Sequence, residues 1–467
     1  MLLTYILTGV ILAAVVSLAG NKVVQLMANL AFYAVQLAFG IWIVSGNIGS
    51  TQLDFFTLDN TGTLFFGLLC VISPLVWYHS RYYLDEETSP QKRLYYALLI
   101  LLCTSITCVY FSNNVAATWI FLEATTLCTA GLIYHRRTQR SLEATWKYVF
   151  VCSVGITIAY LGILLLGAIE GNTDMSYDSL AAHISSGNPL FLKLAFLFIL
   201  AGYSCKMEIF PLYTIGIDAN HAVPAPAAAL VSTALVNAGF IAVFRVYKVM
   251  EHSEIFGWVS SVLIITGVIS VLIGAVFLRR TTQYKRLLAY STVENIGIVA
   301  IGLGVGGIGV FAALLHITGH SMLKSAMFLQ MARVGKQYGN YQVRRLGGYM
   351  SHNRTGALAM LIITVLLLAF PPSPLFVSEI LIFREIISDG QWWLLIILVL
   401  LICTVIYNLG RNILRLCYHT YNGATLPVKI RYGLAATIFM LVAGAAVLGL
   451  WQPVWLIDLF NSISVTL

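Results

Sequence analysis

The sequence predicts an all-α polytopic membrane protein, because apolar residues dominate it and occur in long continuous runs. Of the 467 residues, 59% are hydrophobic and only 10% are charged, and the mean hydropathy is +0.86. Soluble domains carry about 25% charged residues, and a transmembrane barrel shows alternating segments of about ten residues. Continuous apolar runs of about twenty residues are instead typical of membrane-spanning helices.

About fourteen spans are predicted from apolar windows bounded by charged residues, Gly or Pro. The first span lacks the basic start and the cleavage site of a signal peptide, so we expect it to be retained. The seventh and twelfth spans are long and contain Pro211 and, in the twelfth, Pro371, Pro372 and Pro374. Proline removes a helical hydrogen bond and clashes with the preceding turn, so both helices are expected to break there. The approximate limits are 2–19, 24–46, 61–80, 94–112, 114–134, 146–169, 190–217, 223–248, 256–279, 287–306, 308–333, 355–388, 391–418 and 431–452.

The positions of the two broken spans predict two inverted repeats of five helices. The breaks lie five spans apart, and because five is odd, a tandem second copy must cross the membrane in the opposite direction. Discontinuous helices at matching positions of two halves indicate an ion or substrate pathway. The predicted units are an N-terminal three-helix segment (1–93), a first repeat (94–250), a second repeat (251–420) and a C-terminal helix with a tail (421–467).

The distribution of charge predicts the orientation of the chain. The formal net charge is +8, but no basic block alternates with aromatic residues, so a nucleic-acid partner is not expected. Most of the 27 Lys and Arg residues follow odd-numbered spans, whereas acids dominate the opposite loops. By the positive-inside rule, both termini are then expected to be extracytoplasmic.

Four ionisable residues lie inside apolar runs, in the order acid, base, base, acid; they are Glu123, Lys206, Lys324 and Glu379. A charge at bilayer depth costs at least roughly 2.5–3.5 kcal/mol, so such groups usually face a bundle interior or a wet cavity. The order of these groups favours a proton relay. A static ion pair between Glu123 and Lys206 that only fixes helix packing is the alternative.

The surroundings of Lys206 support a functional role for this residue. It lies five residues before Pro211, where carbonyl groups freed by the break and water can solvate an ammonium. Glu208 is close in sequence, but its two-residue offset points it to a different helix face. We therefore expect Lys206 to find its partner on another helix.

The eleventh span carries a polar series, because His316, His320 and Lys324 recur every four residues and share one helical face. Neutral imidazole both accepts and donates, which favours a proton wire. Zinc binding is an alternative, but an HExxH pattern and an evident third ligand are missing. Structural hydrogen bonding between helices is a third interpretation. Glu294 is a further intramembrane acid, which could instead pair with a local base such as Lys285.

The cysteine pattern predicts no redox centre in this chain. The eight cysteines form no CxxC pair and lie almost entirely in apolar runs, where cysteine behaves as a small buried hydrophobe. No haem or flavin motif is present either. We therefore expect no resident cofactor, no metal site and no catalytic residue.

Three stretches carry a family resemblance: GYSCKMEIFPLYTIGIDANHAVPAPAAAL, KRLLAYSTVENIGI and HITGHSMLKSAMFLQMARV. They resemble the antiporter-like, proton-translocating membrane subunits of respiratory complex I. That superfamily also includes subunits of multi-subunit cation/proton antiporters and of group 4 hydrogenases, and the motifs follow its order over spans five to twelve. STVENIG and FPPSPLFVSEILIFRE most resemble the F-type subunit of hydrogenase-4.

The resemblance implies a relay made of the residues that match the family, which are Glu123, Lys206, His316, His320, Lys324 and Glu379. His221 resembles a loop position near the proton entrance. Many relatives carry a histidine or lysine in helix eight, where this chain has Ser232 and Asn237. Because neither residue can carry a charge, the link between the halves would need water or Glu294.

The resemblance also implies a function. The chain would translocate H⁺, or exchange it for Na⁺, as a non-catalytic subunit of a redox-driven complex in a bacterial or archaeal plasma membrane. Its partners would be other membrane subunits and a peripheral redox arm that holds any iron–sulfur or NiFe centres. Two alternatives stay open: a subunit of a secondary cation/proton antiporter without a redox partner, and a structural membrane anchor whose relay is degenerate at Asn237.

Overall fold

The structure is a computed structural model that describes residues 1–169, 174–421 and 431–465. The part of the predicted C-terminal unit at 422–430 and 466–467 lies outside these residues. The helices α1 to α20 are, in order, Leu2–Leu18, Lys22–Val44, Asn60–Tyr83, Ser89–Phe111, Val115–Ile133, Gln139–Gly167, Tyr177–His183, Pro189–Met207, Thr214–Ala222, Ala225–Leu230, Val236–Met250, Phe256–Arg280, Tyr284–Val305, Ile308–Tyr338, Tyr349–His352, Arg354–Leu367, Pro374–Ser388, Trp392–Tyr418, Tyr432–Leu450 and Val454–Val465. A short antiparallel pair, β1 (Thr51–Gln52) and β2 (Phe56–Thr57), lies between α2 and α3.

The helical membrane fold is confirmed. Eleven helical segments of the described chain are long and apolar enough to cross a membrane, and α1, α16 and α20 are shorter apolar helices. α4, α6 and α14 extend several residues beyond the predicted limits, because their polar ends fall outside the apolar windows. The tail predicted after the last span contains α20, which is too short to be found as a span. The count of fourteen spans, the inverted repeats and the unit boundaries stay predictions.

The first predicted break is confirmed between α8 and α9. α8 ends at Met207 and α9 begins at Thr214, so Pro211 belongs to neither helix. The peptide bond between Phe210 and Pro211 is cis. The Phe210 N–H donates to Ser270 Oγ on α12 at 3.0 Å, which attaches the break to that helix.

The second predicted break is confirmed between α16 and α17. Pro371 and Pro372 lie outside both helices, and Pro374 is the first residue of α17. Ser373 caps α17, because its Oγ accepts a hydrogen bond from the Leu375 N–H at 3.1 Å. Both breaks therefore have hydrogen-bonding partners for part of the backbone that proline frees.

The segment formed by α10, a π-helical turn at Val231–Leu235 and α11 runs through the centre of the molecule. Every residue from 225 to 250 is buried. It packs against α3, α4, α8 and α14, so it separates the broken helix α8/α9 from the long helix α14. π-turns inside α-helices occur frequently at functional sites, and no pattern in the sequence indicates this one. Ser232 and Asn237 therefore lie at the middle of the protein.

A buried arginine ties α11 to α3 and α4. Arg245 Nη2 donates to Asp59 Oδ2 at 2.9 Å. The guanidinium also donates to carbonyl oxygens at the C-terminal end of α4, those of Val109 at 3.2 Å, Tyr110 at 2.6 Å and Ser112 at 2.5 Å. A cation is favourable there, because the last carbonyls of a helix have no partner inside it.

Arg245→Met should lower the free energy of unfolding by about 3–5 kcal/mol, because it leaves the α4 carbonyls and Asp59 without their buried partner. Denaturation of the purified chain in mixed micelles measures this change. Lys147→Met is the matched control: Lys147 pairs with Glu143 at 2.5 Å on the surface, and its loss should leave stability nearly unchanged. Equal stability of the Arg245 variant and the wild type would contradict the assignment.

The basic loops meet on one face of the bundle. The Tyr83 and Tyr341 hydroxyls are 3.2 Å apart, and Arg136 Nη2 donates to Tyr83 at 2.6 Å. Lys336 Nζ donates to the Tyr82 carbonyl at 3.0 Å. These contacts join the end of α3, the segment after α5 and the end of α14 with the segment that follows it, as the predicted distribution of charge requires.

Both ends of the described chain lie on the opposite face. The Met1 amino group donates to Gln52 at 3.5 Å, and Asn60 Nδ2 donates to Ser462 in α20 at 2.8 Å. Lys248, in the last turn of α11, donates to the Ser464 carbonyl at 2.9 Å. The two ends are thus on the less basic side of the molecule.

Candidate functional site

Ionisable side chains form a series through the interior of the bundle. Glu123 is half-buried on α5, and the others are at most 8% exposed. The buried members are Lys206, Glu208, Glu294, His316, His320, Lys324 and Glu379. His316, His320 and Lys324 all lie on α14 and are 0% exposed, so the predicted single face of this helix points to the interior.

Glu123 on α5 and Lys206 on α8 form no ion pair, and α6 packs against both helices. Glu123 Oε2 accepts a hydrogen bond from Thr126 Oγ1 at 3.1 Å, and its Oε1 accepts one from Ser153 Oγ at 3.2 Å. Lys206 Nζ donates to the Tyr148 hydroxyl at 3.1 Å and lies 5.2 Å from the centroid of the same ring. The static ion pair considered from the sequence is therefore absent from this conformation.

Tyr148 on α6 is the partner of Lys206 that sequence reasoning missed. It begins a buried stripe of helical period, which continues through Cys152, Gly155 and Ala159 and faces α8. The two helices approach closely, since a Cβ added at Gly202 would lie 2.4 Å from the Gly155 carbonyl oxygen. The helical period of these residues was the sequence signal that could have identified Tyr148 as facing α8.

A chain of hydrogen bonds joins α13, α14 and α17. Asn295 Nδ2 donates to Glu294 Oε2 at 2.5 Å, and Asn295 Oδ1 lies 3.2 Å from His316 Nε2. His316 Nδ1 lies 2.9 Å from the Ser378 hydroxyl. Ser378 precedes Glu379, which interacts electrostatically with Glu294. The hydrogen-bond chain joins two predicted residues, Glu294 and His316, and ends at the sequence neighbour of Glu379, whereas Asn295 and Ser378 were missed because neither ionises.

His316 can keep its partners in both protonation states. When neutral, it donates from Nε2 to Asn295 and accepts at Nδ1 from Ser378. When doubly protonated, it donates from both nitrogens, and the Ser378 hydroxyl donates to the Leu375 carbonyl 2.8 Å away. These bonds engage both ring nitrogens, which argues against the zinc alternative. In the described part of the chain, no group of three or more His, Cys, Asp or Glu could hold a metal ion.

His320 and Lys324 lack direct hydrogen bonds to the described residues. Both ring nitrogens of His320 and Nζ of Lys324 are buried without such a partner. Lys324 interacts electrostatically with two buried acids, Glu294 and Glu208. Glu294 belongs to α13, and Glu208 lies at the first break.

Asn237 and Ser232 occupy the helical segment between the two halves where the sequence lacks an ionisable residue. Asn237 Nδ2 donates to Ser321 Oγ on α14 at 3.0 Å, beside His320. Ser232 Oγ, in the π-helical turn, is buried without a hydrogen-bonding partner among the described residues. Two neutral side chains therefore line the contact between α10–α11 and α14.

The alternative pairing of Glu294 with Lys285 is not formed in this conformation. Lys285 Nζ donates to the His221 carbonyl at 2.8 Å and to the Val223 carbonyl, so it caps the end of α9 instead. His221 is half-buried and lines a cavity of about 370 Å³ at the basic face. The other charged side chains of this cavity belong to Arg136, Arg140, Glu143, Lys147, Asp218 and Arg286.

Comparison with known proteins identifies the family. The hydrogenase-4 component F homolog of Methylacidiphilum infernorum is 28% identical over 430 residues, which are 89% of each chain. A chain of the archaeal membrane-bound sulfane sulfur reductase superposes with a TM-score of 0.87 at 19% identity, over 99% of this chain and 95% of that one. A chain of the Mrp complex from Dietzia sp. DQ12-45-1b gives the same values. Residues 112–405, which contain every residue of the buried series, match the family described as NADH:quinone oxidoreductase/Mrp antiporter, TM. The chain is therefore a member of the NADH:quinone oxidoreductase/Mrp antiporter transmembrane family.

Proposed function

We propose that this protein is a proton-translocating membrane subunit of a redox-driven complex, of the group 4 hydrogenase or complex I-like kind. The observation that carries the proposal is the buried series of acids, lysines and histidines on α8, α13, α14 and α17. Buried charges are costly and weak evidence for stability, so a bundle that served only as an anchor would not need so many. Proton transfer uses groups of this kind.

The proposed relay runs from Glu123 and Lys206 in the first half to Lys324 and the α14 histidines, and then to Glu379. His221 would lie near the entrance, because the cavity that it lines opens on the basic face. Water would bridge His320 and Lys324, since buried polar groups need hydrogen-bonding partners and these lack direct ones. An exchange of H⁺ for Na⁺ would use the same acids.

The proposed partners follow from the relatives. The Methylacidiphilum relative is named as a hydrogenase component, so we infer that electrons move in peripheral partner subunits, which would hold the iron–sulfur or NiFe centres. From the positive-inside rule we infer that the basic face would lie in the cytoplasm of a bacterial or archaeal cell, with both termini outside. Other membrane subunits would pack beside this chain.

A secondary cation/proton antiporter without a redox partner is the second candidate, because the family name covers Mrp antiporters too. Purification of the native complex separates the two. Co-purifying subunits with CxxC motifs and redox centres support the first candidate, and small antiporter subunits alone support the second.

Glu123→Gln tests the relay. Glutamine can keep the hydrogen bonds to Thr126 and Ser153 but cannot release a proton, so we expect proton uptake per redox turnover to fall about tenfold or more. The measurement is dye quenching in proteoliposomes that contain the whole native complex. Glu254→Gln, which changes an exposed acid between α11 and α12, should pump like the wild type. Full pumping by Glu123→Gln would refute the relay, and normal pumping by Glu379→Ala as well would support a structural anchor.

A further inference from the structure

Glu208 is a buried carboxylate that the relay above does not use. It follows α8 directly at the first break and is only 2% exposed. Its Oε1 accepts a hydrogen bond from Asn220 Nδ2 at 2.6 Å, whereas its Oε2 has no partner among the described residues. A carboxylate kept only for packing would have both oxygens bonded, because an unsatisfied buried oxygen is costly.

The backbone does not explain why a glutamate is present here. Glu208 has a φ of 58°, in the left-handed region where glycine is favoured at the end of a helix. The glycine lies opposite instead: a Cβ added at Gly216 in α9 would be 2.3 Å from Glu208 Cγ. The chain thus accommodates a large acid at a position that suits glycine, and places a glycine inside a helix to make room for it.

Glu208 lies where the two predicted halves meet. It is two residues from Lys206 of the first half, and it interacts electrostatically with Lys324 of the second. α9 packs on α13, where Ile217 contacts the apolar cluster that contains Val293, the neighbour of Glu294. The neutral Ser232 and Asn237 line the alternative route along α10 and α11.

We propose that Glu208 carries protons between Lys206 and Lys324 and so supplies the ionisable link between the two halves. This inference extends the proposed function and rests on it. The Lys206 ammonium gives a proton, directly or through water, to the Glu208 carboxylate, which leaves a neutral amine and a neutral acid. The acid then gives the proton to the neutral amine of Lys324, and the Glu208 carboxylate is restored.

Two substitutions test the link in the intact complex reconstituted in proteoliposomes. Glu208→Gln keeps the volume and can keep the bond to Asn220. Glu208→Gly places a glycine at a left-handed backbone position, so the substitution adds no backbone strain to the folded protein. We expect proton uptake per redox turnover to fall about tenfold or more in both variants, because neither carries a proton. Co-purification with the partner subunits verifies assembly, and Glu254→Gln, which changes an exposed acid between α11 and α12, is the matched control.

The same experiment includes Lys324→Met, so that a failure of the Glu208 link can be distinguished from a failure of the relay. If Lys324→Met stops pumping while both Glu208 variants pump like the wild type, the link is refuted and the relay stands. A loss of pumping in Glu208→Gln without a loss in Glu208→Gly also refutes the link. The glutamine amide would then impair pumping through poor packing, not through the absence of a proton carrier. Normal pumping by Lys324→Met refutes the relay itself. Infrared difference spectra give a second readout: the carbonyl band of a protonated acid should disappear in Glu208→Gln.

Discussion

Lys324→Met should abolish proton translocation while leaving the complex assembled. Methionine has similar length and no charge, and Nζ of Lys324 has no hydrogen bond to a described residue that could be lost. The site is fully buried on α14, so an apolar side chain avoids the cost of desolvating an ammonium. The expected loss of pumping, about a hundredfold, would therefore report the missing proton carrier rather than unfolding.

The measurement for this variant is the ratio of proton uptake to redox turnover in proteoliposomes. Lys22→Met is the control, because it removes an exposed lysine at the start of α2, outside the cavity that His221 lines. Redox turnover should persist in part, since this chain would not hold the redox centres. A wild-type ratio in the Lys324 variant would mean that protons take another route through the protein.

The fold could be predicted from local properties of the sequence. Apolar run length indicates a membrane helix, and a proline inside an overlong apolar run disfavours a continuous helix, so the breaks at Pro211 and Pro372 were found. α20 was missed, because twelve residues are too few for a span. The π-helical turn at Val231–Leu235 was missed too, since no amino-acid pattern distinguishes it from the flanking α-helices.

Only those site residues could be predicted that are ionisable and lie inside apolar runs of the sequence. Tyr148, Asn295 and Ser378 are neutral, and their importance depends on contacts between helices that the sequence does not specify. Glu208 was set aside because a helical offset points it away from Lys206. Its positive φ places it outside the helix, so the offset rule does not apply to it.

His316→Gln should reduce pumping about tenfold or more and keep the contacts of the site. The glutamine amide can donate to one neighbour and accept from the other, so Asn295 and Ser378 can both keep a partner. It cannot accept and release a proton as an imidazole ring can. The substitution therefore separates proton transfer from the structural hydrogen bonding that was the alternative interpretation of this histidine.

Proton uptake per redox turnover, measured together with the thermal stability of the complex, distinguishes the two roles of His316. His352→Gln, which changes an exposed histidine at the basic face, is the matched control and should alter neither quantity. If His316→Gln pumps normally but His316→Ala destabilises the complex, the residue is a structural contact between α14 and α17. If His316→Gln stays stable and stops pumping, protonation of the ring itself is required, because the geometry has been retained and only the titratable group has been removed.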